Sequence, residues 1–159
     1  RYNCNLFRKK VNLIHSLNPD AFIGVDVIVG TPGETEELFQ ETKLFLNELN
    51  ISELHVFSYS DRGLARASGF DHKIQYEVKR KRSQILHQIS ETKLHRFYTN
   101  NIGKEVSVLF EDHNNQGMMN GFSENYIKVE TPYNQVLCNK IIKVKPTGIS
   151  KNLNMTINL

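Results

Sequence analysis

The sequence predicts an α/β piece of a partial (β/α) barrel followed by a small antiparallel β-barrel. Three observations predict it. Over the first hundred residues, segments of helical and strand periodicity alternate in the order helix, strand, helix, strand. That order builds a parallel sheet with crossover helices. Both predicted strands have one aliphatic face and one mixed face, as strands of a barrel wall do. After Asn101 the helical period gives way to short alternating runs separated by Gly, Asn and Pro, the pattern of small barrels. The expected organisation is residues 1–75 as β/α units, 76–99 as a connecting basic helix and 100–159 as the barrel.

Each element has its own reason. Phe7, Val11 and Ile14 recur at helical spacing over residues 4–17, and Asn18-Pro19-Asp20 ends that helix. The strand 22–30 follows. Its face Ile23, Val25, Val27, Val29 is continuous hydrocarbon, and its other face is Gly24, Asp26, Ile28, Gly30. Thr31-Pro32-Gly33 makes a turn, and Thr35 is a good N-cap. Glu36 and Glu37 then complement the next helix's dipole. In the strand 53–60, Leu54 and Val56 share one face, while His55, Phe57 and Tyr59 share the other. Residues 61–75 read as a loop. The long helix 76–98 carries an apolar stripe from Val78 to Phe97. Basic residues Lys79, Arg80, Lys81 and Arg82 lie near its start, and Lys93 and Arg96 near its end. Beyond it, Lys104–Phe110, Ser123–Glu130, Val136–Lys145 and Ile149–Leu159 are strand-like, with a turn at Gly117–Gly121.

Composition narrows the function classes. A formal charge of +3 is mild, so nucleic-acid binding needs local clustering. No apolar run approaches the roughly 18 residues that span a bilayer, so no membrane partner is expected. Two cysteines in 159 residues, Cys4 and Cys138, exclude a disulfide scaffold and fit a cytoplasmic protein. A start at Arg1 rather than Met fits a piece of a longer protein.

Ligands of parallel α/β folds sit at the carboxyl ends of strands, here Gly30–Glu34 and Tyr59–Arg62. The glycine face of the first strand leaves room for a ligand, or for close packing alone. Asp26 is costly to bury unless paired, so it meets a ligand or a structural arginine. Phe57 stacks on a flat ligand or fills a barrel. The Lys79–Arg82 cluster meets phosphates or is a solvated face. Tyr126, Tyr133, Lys128, Lys140, Lys143 and Lys145 form the basic and aromatic mixture with which small barrels bind RNA. No nucleophile triad or metal-ligand spacing is readable, so catalytic residues stay unassigned and no metal ligand is expected.

Gly24-Val-Asp-Val-Ile-Val-Gly-Thr-Pro-Gly-Glu-Thr35, followed by Leu54-His-Val-Phe-Ser-Tyr-Ser-Asp-Arg62, resembles the radical S-adenosylmethionine methylthiotransferases. Ile102-Gly103-Lys104, Val106–Glu111 and Gly121–Val129 resemble that family's C-terminal TRAM domain, a small OB-like RNA-binding barrel, and the Val78–Ser83 helix also matches. The likeness covers nearly the whole chain. His55–Ser60 and Gly121–Tyr126 look most like the branch acting on threonylcarbamoyladenosine in tRNA; the alternatives are a non-catalytic RNA-binding module and the ribosomal-protein branch.

The resemblance implies a C-terminal part of an enzyme that adds a methylthio group to carbon 2 of a modified adenosine beside the anticodon. It implies S-adenosylmethionine and two 4Fe-4S clusters in the parent. The CxxxCxxC loop that holds the radical-generating cluster is absent from this sequence, so the chain alone is expected to be inactive. The resemblance implies adenine contacts at Gly24, Ile28 and Gly30, with Asp26 and Phe57 beside them. RNA contacts are expected at Lys79, Arg80, Arg82, Arg96, Tyr126 and Lys128. The expected partners are tRNA and the missing N-terminal part. Two β/α units cannot close a barrel, so the Asp26/Ile28 face is expected to lie open and to favour self-association unless the long helix covers it.

Overall fold

The protein is described by a computed structural model covering residues 3–61 and 72–158. Most of the expected 61–75 loop lies outside the described residues. The chain divides into two compact units, residues 1–19 with 23–93, and residues 20–22 with 94–159.

In the first unit, α1 (Cys4–Leu17), β1 (Gly24–Val29), α2 (Glu36–Glu48) and β2 (Glu53–Ser58) follow in order, and α3 (Tyr76–Thr99) begins here. Asn3 caps α1 by accepting from the Leu6 N–H, and Thr35 caps α2 by accepting from the Leu38 N–H. β1 and β2 form a two-stranded parallel sheet. One face packs on the helices: Val29, Leu54, Phe39, Leu46, Leu86 and Val11 are buried together, with Val25, Val27 and Val56 against them. Backbone groups of β2 that no strand pairs are taken by α3. Ser90 Oγ accepts from the Leu54 N–H at 2.8 Å and donates to the Leu54 carbonyl at 3.0 Å.

The second unit is a strongly curled six-stranded mixed sheet that fits a small β-barrel domain. Its strands are β3 (Val106–Phe110), β4 (Met118–Ser123), β5 (Lys128–Pro132), β6 (Ile141–Val144), β7 (Pro146–Ile149) and β8 (Met155–Ile157). The order is β6-β3-β4-β5-β8-β7. β6 and β7 therefore lie at opposite ends of the sheet, yet one residue, Lys145, joins them. Two Cα–Cα steps span at most about 7 Å, so the sheet must curl until its ends meet. Val106, Val108, Phe110, Met119, Ile127, Val129 and Met155 fill the inside.

Several expectations for this half are corrected. The barrel is mixed rather than antiparallel, because β5 and β8 run parallel. Alternation reveals a strand but not its direction. The run 123–130 is not one strand: Ser123 Oγ accepts from the Ile127 N–H and donates to Asn125 Oδ1, making a turn in which Tyr126 takes φ +64°. The run 136–145 opens with a 3₁₀ turn at Gln135–Leu137 capped by Asn134, and Asn139 has φ +56° before β6 begins. The turn near Gly117 ends earlier than expected. Gln116 and Gly117, both at positive φ, form a two-residue hairpin connection closed by paired Asn115 and Met118 backbone bonds. Gly121 is then inside β4, where a Cβ would lie 2.7 Å from the Leu109 carbonyl oxygen.

Candidate functional site

Two surfaces carry unsatisfied chemistry, one in each unit. In the first unit the register pairs Gly24 with Glu53, Asp26 with His55 and Ile28 with Phe57. These positions form the sheet face turned away from the helices. Gly24, Asp26, Ile28, His55 and Phe57 are all exposed, Ile28 at 56% and Phe57 at 53%. An aliphatic and an aromatic side chain thus lie side by side, both exposed to water. α3 packs on the opposite face, through Leu86, Ile85 and Ile89.

Gly30 departs from the other glycine-face residues. It is buried at the carboxyl end of β1 with φ +76°. The Lys79 stem lies against it, so a Cβ there would come within 2.9 Å of Lys79 Cδ. Its N–H donates to Glu34 Oε2 at 2.8 Å. The same oxygen accepts from Arg82 Nη1 at 2.6 Å. Arg82 Nη1 also donates to the Glu34 carbonyl, and Nη2 donates to Glu36 Oε2 at 3.1 Å. The guanidinium stands over the Phe39 ring, 5.1 Å from its centroid. Only 6% of the Arg82 side chain and 12% of the Glu34 side chain are exposed. The Gln40 amide first, and Arg82 second, hold the Glu36 carboxyl below the usual carboxylate range.

The four-residue basic run thus separates into different roles. Arg82 is inside an ion-pair network. Lys79 packs its stem on Gly30 and donates Nζ to the Tyr59 carbonyl at 3.1 Å. Arg80 and Lys81 are exposed, as is Arg96 further along the helix. Sequence reasoning missed Glu34 as the partner of Arg82, although it placed Glu34 at the strand mouth. A separation of 48 positions leaves no local signal.

In the second unit the strands put Ile141, Leu109, Phe122 and Lys128 side by side across the outer face, through the pairs Leu109–Ile141, Leu109–Phe122 and Phe122–Lys128. Tyr126 is 66% exposed, and its ring centroid lies 5.9 Å from that of Phe122 and 5.6 Å from that of Phe22. A bulky side chain at positive φ is strained. The Ser123–Ile127 turn holds it there, with the ring outward. Lys128 is half-buried, and its side chain makes no hydrogen bond or ion pair among the described residues. Lys143 pairs with Glu105 at 2.9 Å. Tyr133 is half-buried beside Cys138, whose thiol, with burial second, pushes the phenol's pKa up.

Among the described residues no group of His, Cys, Asp or Glu is arranged to hold a metal ion, and no helix is long and apolar enough to cross a membrane.

No family model matches the chain. Curated relatives do. It is 39% identical over 129 residues to the threonylcarbamoyladenosine tRNA methylthiotransferase MtaB of Aquifex aeolicus, covering 81% of this chain and 30% of the relative. It is 34% identical over 150 residues to the MtaB of Bacillus subtilis, covering 91% and 33%. It is 28% identical over 152 residues to the tRNA-2-methylthio-N(6)-dimethylallyladenosine synthase of Sulfurimonas denitrificans, covering 96% and 35%. The chain spans about a third of the length of these relatives and matches their C-terminal part. On that extent and identity, the chain belongs to the radical S-adenosylmethionine family of tRNA methylthiotransferases.

Proposed function

We propose that the chain serves in the methylthiolation of carbon 2 of threonylcarbamoyladenosine beside the anticodon of a tRNA. In this reading residues 1–75 are the last β/α units of a partial (β/α) barrel, and residues 100–159 are a TRAM domain that binds the tRNA. The observation that carries it is the open Gly24–Ile28/Phe57 face in a chain whose relatives are named as MtaB enzymes. The working compartment in this reading is the cytoplasm.

The exposed face suits one part of S-adenosylmethionine. Ile28 and Phe57 offer an apolar pair wide enough for an adenine ring, Gly24 lets a ligand come close to the backbone, and Asp26 offers an acceptor. Gly30 closes the carboxyl end of this strand, with its N–H bonded to Glu34. When bound with its iron–sulfur cluster, S-adenosylmethionine supplies the radical that activates the adenosine carbon. The 159 residues contain two cysteines, Cys4 and Cys138, so the ligands of both 4Fe-4S clusters would come from the N-terminal part of the parent. This chain's residues bind and orient: Ile28 and Phe57 the cofactor's adenine, and Tyr126, Phe122 and Lys128 the RNA, with Arg80 and Arg96 as further cations.

Two measurements test the reading. The chain should bind tRNA at low salt, with affinity falling steeply as salt rises, because phosphate contacts release counterions. In the enzyme restored with a cluster-bearing N-terminal part, Ile28→Asp should abolish S-adenosylmethionine binding while tRNA binding persists. Absence of tRNA binding at low salt overturns the RNA role. Unchanged cofactor affinity in I28D overturns the cofactor role.

A further inference from the structure

The outer face of the six-stranded sheet holds a second feature, a cavity of about 400 Å³. Asn115, Asn120, Lys128, Glu130, Asn152 and Asn154 line it, with Gln116 and Met118 at its side. Its size falls within the range of small-molecule sites, about 300–1,000 Å³, but its walls do not resemble theirs, which are mostly apolar. Amide, carboxylate and ammonium groups converge here, and Met118 is the sole apolar residue among those lining it.

Three of these groups are ready for a ligand. The Asn120 side chain is half-buried and makes no hydrogen bond among the described residues. The Lys128 ammonium is likewise unpaired. Glu130 is fixed: its Oε2 accepts from Asn154 Nδ2 at 2.6 Å, and Oε1 has no donor among the described residues. A half-buried amide with no protein partner keeps its donors and acceptor open to a ligand. The register places Asn120 directly across from Glu130, and Lys128 directly across from Phe122. Apolar stacking surface and polar pocket therefore adjoin along β4 and β5.

This division matches the two halves of a nucleotide. A base has faces that stack on Phe122 and Tyr126. A ribose has hydroxyls that donate to a carboxylate and pair with an amide, and a phosphate meets an ammonium. We propose that this pocket receives the ribose and phosphate of one unpaired RNA nucleotide whose base stacks on the Phe122/Tyr126 pair, with Glu130 and Asn120 reading the 2′-hydroxyl and Lys128 holding the phosphate. The inference rests on the RNA-binding reading above and adds a consequence to it: the unit distinguishes RNA from DNA at a single sugar.

The test uses the 159-residue chain and an anticodon stem-loop RNA whose loop riboses are replaced one at a time by 2′-deoxyribose, with binding followed by fluorescence anisotropy at fixed low salt. At one loop position the deoxy substitution should weaken wild-type binding on the order of tenfold, the effect of losing a hydrogen bond to a charged group. Asn120→Ala and Glu130→Gln should each bind the all-ribose loop more weakly and be less sensitive to that substitution. Lys128→Ala should weaken every loop alike and reduce the slope of log affinity against log salt by about one. The Asn120 side chain has no partner among the described residues, so N120A keeps the test open even where E130Q unsettles the Asn154 contact. If no loop position is sensitive, or if N120A and E130Q keep the wild-type sensitivity, the pocket does not read the sugar, while RNA binding itself stands. If the wild-type chain binds no RNA at low salt, the RNA reading falls, and this proposal falls with it.

Discussion

Arg82 in the first unit and Lys128 in the second carry the same charge, yet the fold uses them in opposite ways. Arg82 is enclosed, with Glu34 and Glu36 on its nitrogens and Phe39 beneath its plane. It ties α3 to the loop after β1 and to the first turn of α2. Lys128 stands on a strand with its ammonium unpaired among the described residues, beside exposed Phe122. A cation held by two protein carboxylates is committed to the fold, even with its Nε left unbonded among the described residues, as in Arg82; an unpaired one is available to a ligand. The same contrast holds for the two sheets. The first keeps its buried ion pair at the strand end, whereas the second closes an apolar inside and sets an unpaired cation beside exposed apolar residues on its outer face.

The largest effect that would break this comparison is at Arg82. Arg82→Ala leaves the Glu34 carboxylate in a site where 12% of it meets water. Removing one partner of a buried pair costs about 3–5 kcal/mol. Lys128→Ala should change stability by less than about 0.5 kcal/mol, as surface substitutions do. Urea unfolding followed by amide exchange separates the units: R82A should speed exchange at Val29 and Leu54 and spare Val108. Equal effects of the two substitutions would remove the distinction between a committed and an available cation.

Two glycines come next. Gly121→Ala in β4 would press its methyl onto the Leu109 carbonyl oxygen at 2.7 Å and Val108 Cγ1 at 2.6 Å. Neither is the free end of a flexible side chain, and overpacking of this kind costs about 1–3 kcal/mol. Gly30→Ala meets the Lys79 stem near its root, and the tip of that side chain is tethered to the Tyr59 carbonyl. Its cost combines the displacement of that stem with the left-handed backbone, about 1–2 kcal/mol, and some loosening of the Glu34 bond. G121A should lower protection in the second unit and G30A in the first; amide exchange distinguishes them.

A smaller change in stability, but a clear one in behaviour, is expected on the open face. Ile28→Ser with Phe57→Ser removes two exposed apolar side chains, so stability should move by less than about 0.5 kcal/mol. Self-association of the chain should fall, because an exposed apolar pair is what a second copy would cover. Sedimentation at increasing concentration checks this. A wild-type chain that stays monomeric throughout would mean that the exposed pair does not attract its own kind.

How much of this was readable in advance depended on the distance over which each cause acts. The N-cap at Thr35 and the two-faced character of β1 follow from neighbours within a few positions, and both are visible in the sequence. The curl of the second sheet follows from β6 and β7 sharing Lys145 while pairing with β3 and β8. Pairing of that kind has no period, so strands were legible and their directions were not. Arg82 looked like its neighbours Arg80 and Lys81 because charge is a composition signal, while burial depends on a residue 48 positions away. Tyr126 was legible as an exposed aromatic but not as a turn residue, since its strain is imposed by Ser123 and Asn125.

The smallest effect concerns two exposed carboxylates, one in each unit. Glu36 is held below the usual carboxylate range by the Gln40 amide first and Arg82 second, and Glu105 by its bond to Lys143. A carboxyl whose folded pKa lies below its unfolded one contributes stability above the ordinary value, and that contribution is lost as pH falls through the folded value. Lys143 is raised by the same contact with Glu105. Its share is complete below the ordinary lysine value and is lost as pH rises through the raised one. The Glu105–Lys143 pair therefore supports the second unit across the neutral range and fades at both ends, whereas Glu36 fades only in acid. Both sites face water, so salt should weaken both. Glu105→Gln should return the Lys143 titration, followed by NMR, towards that of an ordinary lysine and leave Glu36 where it is. A Lys143 titration that does not move in E105Q would mean that the two side chains meet too rarely in solution for their contact to matter, and the pair would then tell nothing about how the second unit uses its charges.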